Sequence, residues 1–87
     1  NNITTAGTGA SNYGIDLVTR VSLNNVTNNV INTSGTTNSY GIELASTVNS
    51  NLFINNSIIA GGSGGANKGI RSAVTVSFNN ITHNRIS

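Results

Sequence analysis

The phrase Asn12-Tyr-Gly-Ile-Asp-Leu17 returns as Ser39-Tyr-Gly-Ile-Glu-Leu44 and, altered, as Asn67-Lys-Gly-Ile-Arg-Ser72. Its glycines, Gly14, Gly41 and Gly69, lie 27 and 28 residues apart. A period of this length constrains the fold more than any other feature, because one unit is too small to bury its own apolar side. Stacked on a copy of itself, the unit acquires a core. Other positions keep the interval. Asn24, Asn51 and Asn79 form one column, and Asn1-Asn2 recurs as Asn28-Asn29, Asn55-Asn56 and, after one inserted residue, His83-Asn84. The glycine-rich stretch Ala60–Lys68 has room for that insertion as a turn.

The apolar residues keep step as well. Ile15, Ile42 and Ile70 align; Leu17 and Leu44 align, with Ser72 departing. Val21, Val48 and Val76 form a third column, and Val26, Phe53 and Ile81 a fourth. Ile31, Ile58 and Ile86 form the last, with Thr4 standing in at the first coil. Alternation in Ile15-x-Leu17 and Val74-x-Val76-x-Phe78 predicts short half-buried strands, about three to a unit. Helix is disfavoured, since Asn, Ser and Thr make up 39 of the 87 residues and β-branched residues fill much of the rest.

Wound coil on coil, parallel strands lie roughly 4.8 Å apart and each apolar column becomes an internal stack. Each asparagine column becomes a ladder of side-chain amides, which explains a poor strand former at fixed phase. The expected fold is all-β, a right-handed parallel β-helix of about three coils of 27–28 residues. "NNVINTSGTTNSYGIEL" and "NNSIIAGGSGGANKGI" resemble the Asn-Asn-x-Ile and Gly-Ile punctuation of right-handed parallel β-helix repeat proteins, the pectate-lyase-like solenoids among them. The resemblance spans the chain, implies the fold and leaves function open, since lyases, hydrolases, adhesins and tailspikes share this architecture. A left-handed hexapeptide helix needs a period near six, which is not seen.

Composition narrows the function classes. Residues 1–87 make a single β-helix segment, and a start in mid-phrase without Met reads as a piece of a longer solenoid. Arg20, Arg71, Arg85 and Lys68 stand against Asp16 and Glu43, a scatter that argues against a nucleic-acid partner. No cysteine is available for a disulfide or thiolate metal site, and apolar runs stop at three residues, so no membrane span is expected.

The column Asp16, Glu43, Arg71 is the sharpest chemical feature. With Ile15 and Leu17 facing in, it faces out. Two close carboxylates make Asp16 and Glu43 candidate Ca²⁺ ligands, and a neighbouring arginine can stabilise a sugar acid. The resemblance to pectate-lyase-like enzymes implies that use, yet those enzymes bring more acids than the two here. The simpler expectation is an exposed Glu43–Arg71 ion pair, without catalytic, cofactor-binding or metal residues. Tyr13 and Tyr40 stack at one phase, where the third coil is read as carrying Asn67. With Arg71 they are the expected ligand contacts. His83 replaces a turn asparagine. Gly61–Gly69 lacks the Gly-Lys-Ser/Thr of a phosphate loop and reads as a turn between coils. Asn-x-Ser/Thr sequons begin at Asn2, Asn25, Asn32, Asn55 and Asn80.

The functional expectation is a non-catalytic structural or binding segment of a secreted or cell-surface protein that meets polysaccharide or cell-surface glycan. A fragment of a polysaccharide lyase or glycoside hydrolase is the alternative, and a stalk that self-associates end to end is the third reading.

Overall fold

The computed structural model describes residues 1–87, folded into thirteen strands and no helix, so no helix is long and apolar enough to cross a membrane. The first coil holds β1 (Asn2–Ala6), β2 (Tyr13–Val18), β3 (Val21–Ser22) and β4 (Asn25–Thr27). The second holds β5 (Val30–Gly35), β6 (Tyr40–Ala45), β7 (Val48–Asn49) and β8 (Leu52–Ile54). The third holds β9 (Ser57–Gly62), β10 (Lys68–Ser72), β11 (Val76–Ser77) and β12 (Asn80–Thr82), and β13 (Arg85–Ile86) opens the next turn. Every strand pairs in parallel with its counterpart one coil away, giving the sheets β1-β5-β9-β13, β2-β6-β10, β3-β7-β11 and β4-β8-β12. The chain is a parallel β-solenoid of about three turns.

Each coil has four strands where the alternation predicted three, because four left-handed corners cut it. Ser11, Asn38 and Ala66 occupy one corner column at positive φ; Leu23, Ser50 and Phe78 another; Asn28, Asn55 and His83 a third. Thr19, Arg20, Ser46 and Thr75 turn the fourth. His83 therefore sits at an αL turn position, which Asn and His tolerate better than most residues. The corners at Thr75 and Phe78 also defeat the predicted Val74-x-Val76-x-Phe78 strand. Val76 alone packs inward, while Val74 and Phe78 are 76% and 89% exposed.

No glycine takes a positive φ. The repeated Gly instead answers a lack of space. A Cβ on Gly41 falls 2.1 Å from the Ile58 methyl and 2.6 Å from the Gly69 carbonyl oxygen, and one on Gly14 falls 2.3 Å from the Ile31 methyl. Ile31 and Ile58 lie in the core, so the glycine faces inward, and so does the buried isoleucine after it. Alternation slips by one residue at Tyr-Gly-Ile. That slip turns Tyr40 to the same outer side as Glu43, three residues on.

The core is the middle of the stack. Ile31, Ile42, Leu44, Val48, Phe53 and Ile58 are fully buried, whereas Ile3, Ile15, Val21, Val26, Ile70 and Val76, with a coil on one side only, are partly buried. Ile3 rather than Thr4 begins the Ile31–Ile58–Ile86 column, since β1 pairs Ile3 with Ile31. The first coil carries an extra residue too. Register runs 28 residues at Ala6↔Ser34 and 27 at Ala10↔Thr37, so the loop Gly7–Gly9 absorbs it. The third-coil insertion lies in 63–66, inside that coil and between β9 and β10, because Gly61, Gly62, Lys68 and Gly69 belong to the strands.

The asparagine ladders run inside two corners, with Asn51 and Asn56 buried. Asn56 Oδ1 accepts from the Asn29 N–H at 3.1 Å and from Asn29 Nδ2 at 2.9 Å. Asn56 Nδ2 donates to the Val26 carbonyl at 2.8 Å and to Asn84 Oδ1 at 2.9 Å. The Asn24–Asn51–Asn79 ladder repeats this pattern. Asn1 stacks on Asn29, one residue off the Asn28 match that the sequence suggested.

Candidate functional site: the outer face of β2, β6 and β10

Two columns lie side by side on this face. β2 and β10 flank β6 in register, so Asp16 and Arg71 both stand opposite Glu43, and Tyr13 and Lys68 both stand opposite Tyr40. Lys68, not Asn67, is the third member of the tyrosine column. The signal was present in the sequence, since Lys68 precedes Gly69 as Tyr40 precedes Gly41.

The Tyr13 and Tyr40 rings stack with centroids 5.2 Å apart and planes within 6°. The Arg71 guanidinium carbon lies 5.4 Å from the Tyr40 centroid, on the neighbouring coil. Tyr40 is thereby buried, held between an aromatic face and a cation, and its hydroxyl donates to Asn38 Oδ1 at 3.2 Å. Such a cation–π contact is worth about 0.5–2 kcal/mol, rising as water is excluded. Tyr13 remains half-buried.

Arg71 Nη1 donates to Glu43 Oε1. The expected exposed ion pair is instead lopsided, because the Glu43 side chain is 5% exposed and that of Arg71 36%. Coils above and below cover Glu43, and Arg71 has a neighbouring coil on one side only. Glu43 Oε2 is buried without a hydrogen bond. Asp16, on the outermost coil of the column, is exposed.

These residues define what the face can do. Asp16 and the free Oε2 of Glu43 offer about three oxygens, against the six to eight that Ca²⁺ takes. No cluster of three or more His, Cys, Asp or Glu residues exists, and the surface carries no pocket. What the face does present is Tyr13, Lys68 and the outward N–H groups of Arg71 on strands locked in register. His83 is exposed at its corner, apart from this face. All five sequon asparagines are exposed, because each lies on an outward strand position or a corner. The chain matches no protein-family model, no curated protein and no solved structure.

Proposed function

We propose that this chain is a non-catalytic structural and binding segment of a secreted or cell-surface β-solenoid, and that the β2–β6–β10 face contacts an acidic glycan. The observation that carries the reading is the Tyr13–Tyr40–Arg71 sandwich with Glu43 behind it. Glu43 fixes the guanidinium, the guanidinium covers Tyr40, and little side-chain freedom is left to lose on binding. Tyr13 supplies a ring edge and face for a pyranose, while Lys68 and the remaining Arg71 donors suit a carboxylate. The Asn-Asn-x-Ile and Gly-Ile phrases make kinship with pectate-lyase-like solenoids part of this proposal.

Titration calorimetry with oligogalacturonate, and with a neutral cello-oligosaccharide as control, tests the reading. Binding of the acidic sugar is expected, weakened about tenfold in Tyr13→Ala, the equivalent of about 1.4 kcal/mol. Equal heats for both sugars, or unchanged affinity in Tyr13→Ala, overturn it.

A further inference from the structure

We propose that Asn25 and Asn80 are N-glycosylation sites, and that Leu23 and Phe78, exposed at the corners before them, seat the first sugar of each glycan. The inference rests on the secreted or cell-surface part of the reading above and is independent of what the β2–β6–β10 face binds.

The five sequons are not equivalent in the fold. Asn25-Val26-Thr27 is strand β4 and Asn80-Ile81-Thr82 is strand β12, so both are extended. In each, the middle residue pairs with buried Phe53, and the asparagine and threonine on either side of it project outward together. The ladder takes the preceding residue, Asn24 or Asn79, and leaves the sequon asparagine exposed.

The two sites flank one strand. Asn25 and Asn80 both stand opposite Leu52, and Thr27 and Thr82 both stand opposite Ile54. The asparagines are therefore two rungs apart, roughly 10 Å. In the middle coil Leu52-Phe-Ile54 replaces Asn-x-Thr, and Leu52 and Ile54 are only half-buried.

Two residues before each of these asparagines comes a large apolar side chain with nothing to cover it. Leu23 and Phe78 are 84% and 89% exposed. Their φ angles, 59° and 54°, lie in a region where bulky residues are uncommon. Ser50 holds the same corner in the middle coil, so the turn itself does not demand an apolar residue. No other sequon follows so exposed a large apolar residue: Val30, before Asn32, is 48% exposed, and Phe53, before Asn55, is buried. An N-acetylglucosamine on Asn25 or Asn80 thus has an apolar surface for its hydrogen-bearing face, and Leu52 and Ile54 continue that surface between the two sites.

In each transfer the carboxamide nitrogen bonds to the anomeric carbon of the first N-acetylglucosamine of an oligosaccharide carried on a polyprenyl diphosphate. The bond from that carbon to the diphosphate oxygen breaks, the diphosphate leaves with the electron pair, and the nitrogen gives up one proton. An oligosaccharyltransferase of a secretory pathway reads Asn-x-Thr in the extended chain. Folding then sets each sugar against its corner.

The test is secretion of the full chain from a eukaryotic cell line behind a cleaved signal peptide, with the sugar-free chain made in bacteria for comparison. Mass spectrometry after glycosidase release in heavy-oxygen water maps the occupied sites, and Asn25 and Asn80 are expected among them. An endoglycosidase then trims each glycan to one N-acetylglucosamine, and urea unfolding gives the folding constants. Covering about 40 Å² of a side chain, roughly a quarter of what a phenylalanine buries, raises the folding constant about fivefold at each site. Phe78→Ser and Leu23→Ser, which copy Ser50, are each expected to lower it about fivefold in the trimmed glycoprotein and to cause no such fall in the sugar-free chain. Either asparagine unoccupied, equal effects of Phe78→Ser and Leu23→Ser with and without sugar, or no loss of folding constant in Asn25→Gln and Asn80→Gln glycoprotein each overturns the proposal. Calorimetry with oligogalacturonate on the same preparations reads the Tyr13 face separately, so failure of one proposal leaves the readout of the other intact.

Discussion

Replacing Asn56 by alanine tests whether the ladders hold the coils together. Its carboxamide uses both N–H bonds and accepts two more, linking three coils through Asn29, Val26 and Asn84. The residue is 1% exposed, so water does not reach the groups it leaves behind. Two of those groups, the Asn29 N–H and the Val26 carbonyl, are backbone and cannot turn to find new partners. At about 1–3 kcal/mol for each orphaned buried group, the loss comes to about 2–6 kcal/mol. An 87-residue domain has roughly 4–13 kcal/mol of stability in total, so the variant should sit near the threshold of folding. Asn24 occupies an exposed outer rung and makes two side-chain bonds, to Ser22 and Asn51. Asn24→Ala should cost about 1 kcal/mol or less, since solvent replaces what it removes. Urea unfolding followed by far-ultraviolet circular dichroism, at a concentration where the chain is monomeric, measures both. An Asn56→Ala cost below about 1 kcal/mol, or no greater than that of Asn24→Ala, refutes the ladder as a source of stability.

Gly41→Ala drives a methyl into Ile58 and the Gly69 carbonyl; a loss of about 3 kcal/mol is expected from the same urea assay, against little change for Gly65→Ala, whose added methyl meets nothing. Arg71→Ala leaves the Glu43 carboxylate buried without its cation, so it should cost about 2–3 kcal/mol, less than a fully buried pair because Arg71 is partly solvated. Glu43→Gln keeps the shape without the charge and should stay within about 1 kcal/mol of wild type; equal losses in the two variants would contradict that asymmetry. Phe78→Asn replaces an aromatic side chain that packs against almost nothing with a short polar one that tolerates the positive φ of this position through local hydrogen bonding. It should raise stability by up to about 1 kcal/mol, read as a higher urea midpoint.

The winding was legible in the sequence because every coil repeats the same demands. A column of Ile or Val at fixed phase buries apolar surface only when copies stack, and an asparagine column is tolerable only when each amide finds the next. Gly14, Gly41 and Gly69 marked the phase correctly. Their physical reason, an inward strand position with no room for a β-carbon, needed Ile31 and Ile58 from the β1-β5-β9-β13 sheet to become visible. Local pattern misled where corners intervened. Val74 and Phe78 alternate as strand residues do, yet left-handed turns at Thr75 and Phe78 rotate both out to solvent.

The sequence by itself determined the period, the parallel stacking and the pairing of Asp16, Glu43 and Arg71 in one column. Tertiary structure decided their inequality. Glu43 is buried because it lies on β6, the one strand of its sheet flanked on both sides, Asp16 is exposed because it lies on the outer strand β2, and the repeat gives all three the same local setting. Tyr40 lies against Arg71 because the slip at Gly41 brings two outward columns together across three residues. Burial and cross-column contact depend on what lies above and beside a residue, and a repeat of 27 or 28 positions specifies only what lies along the chain.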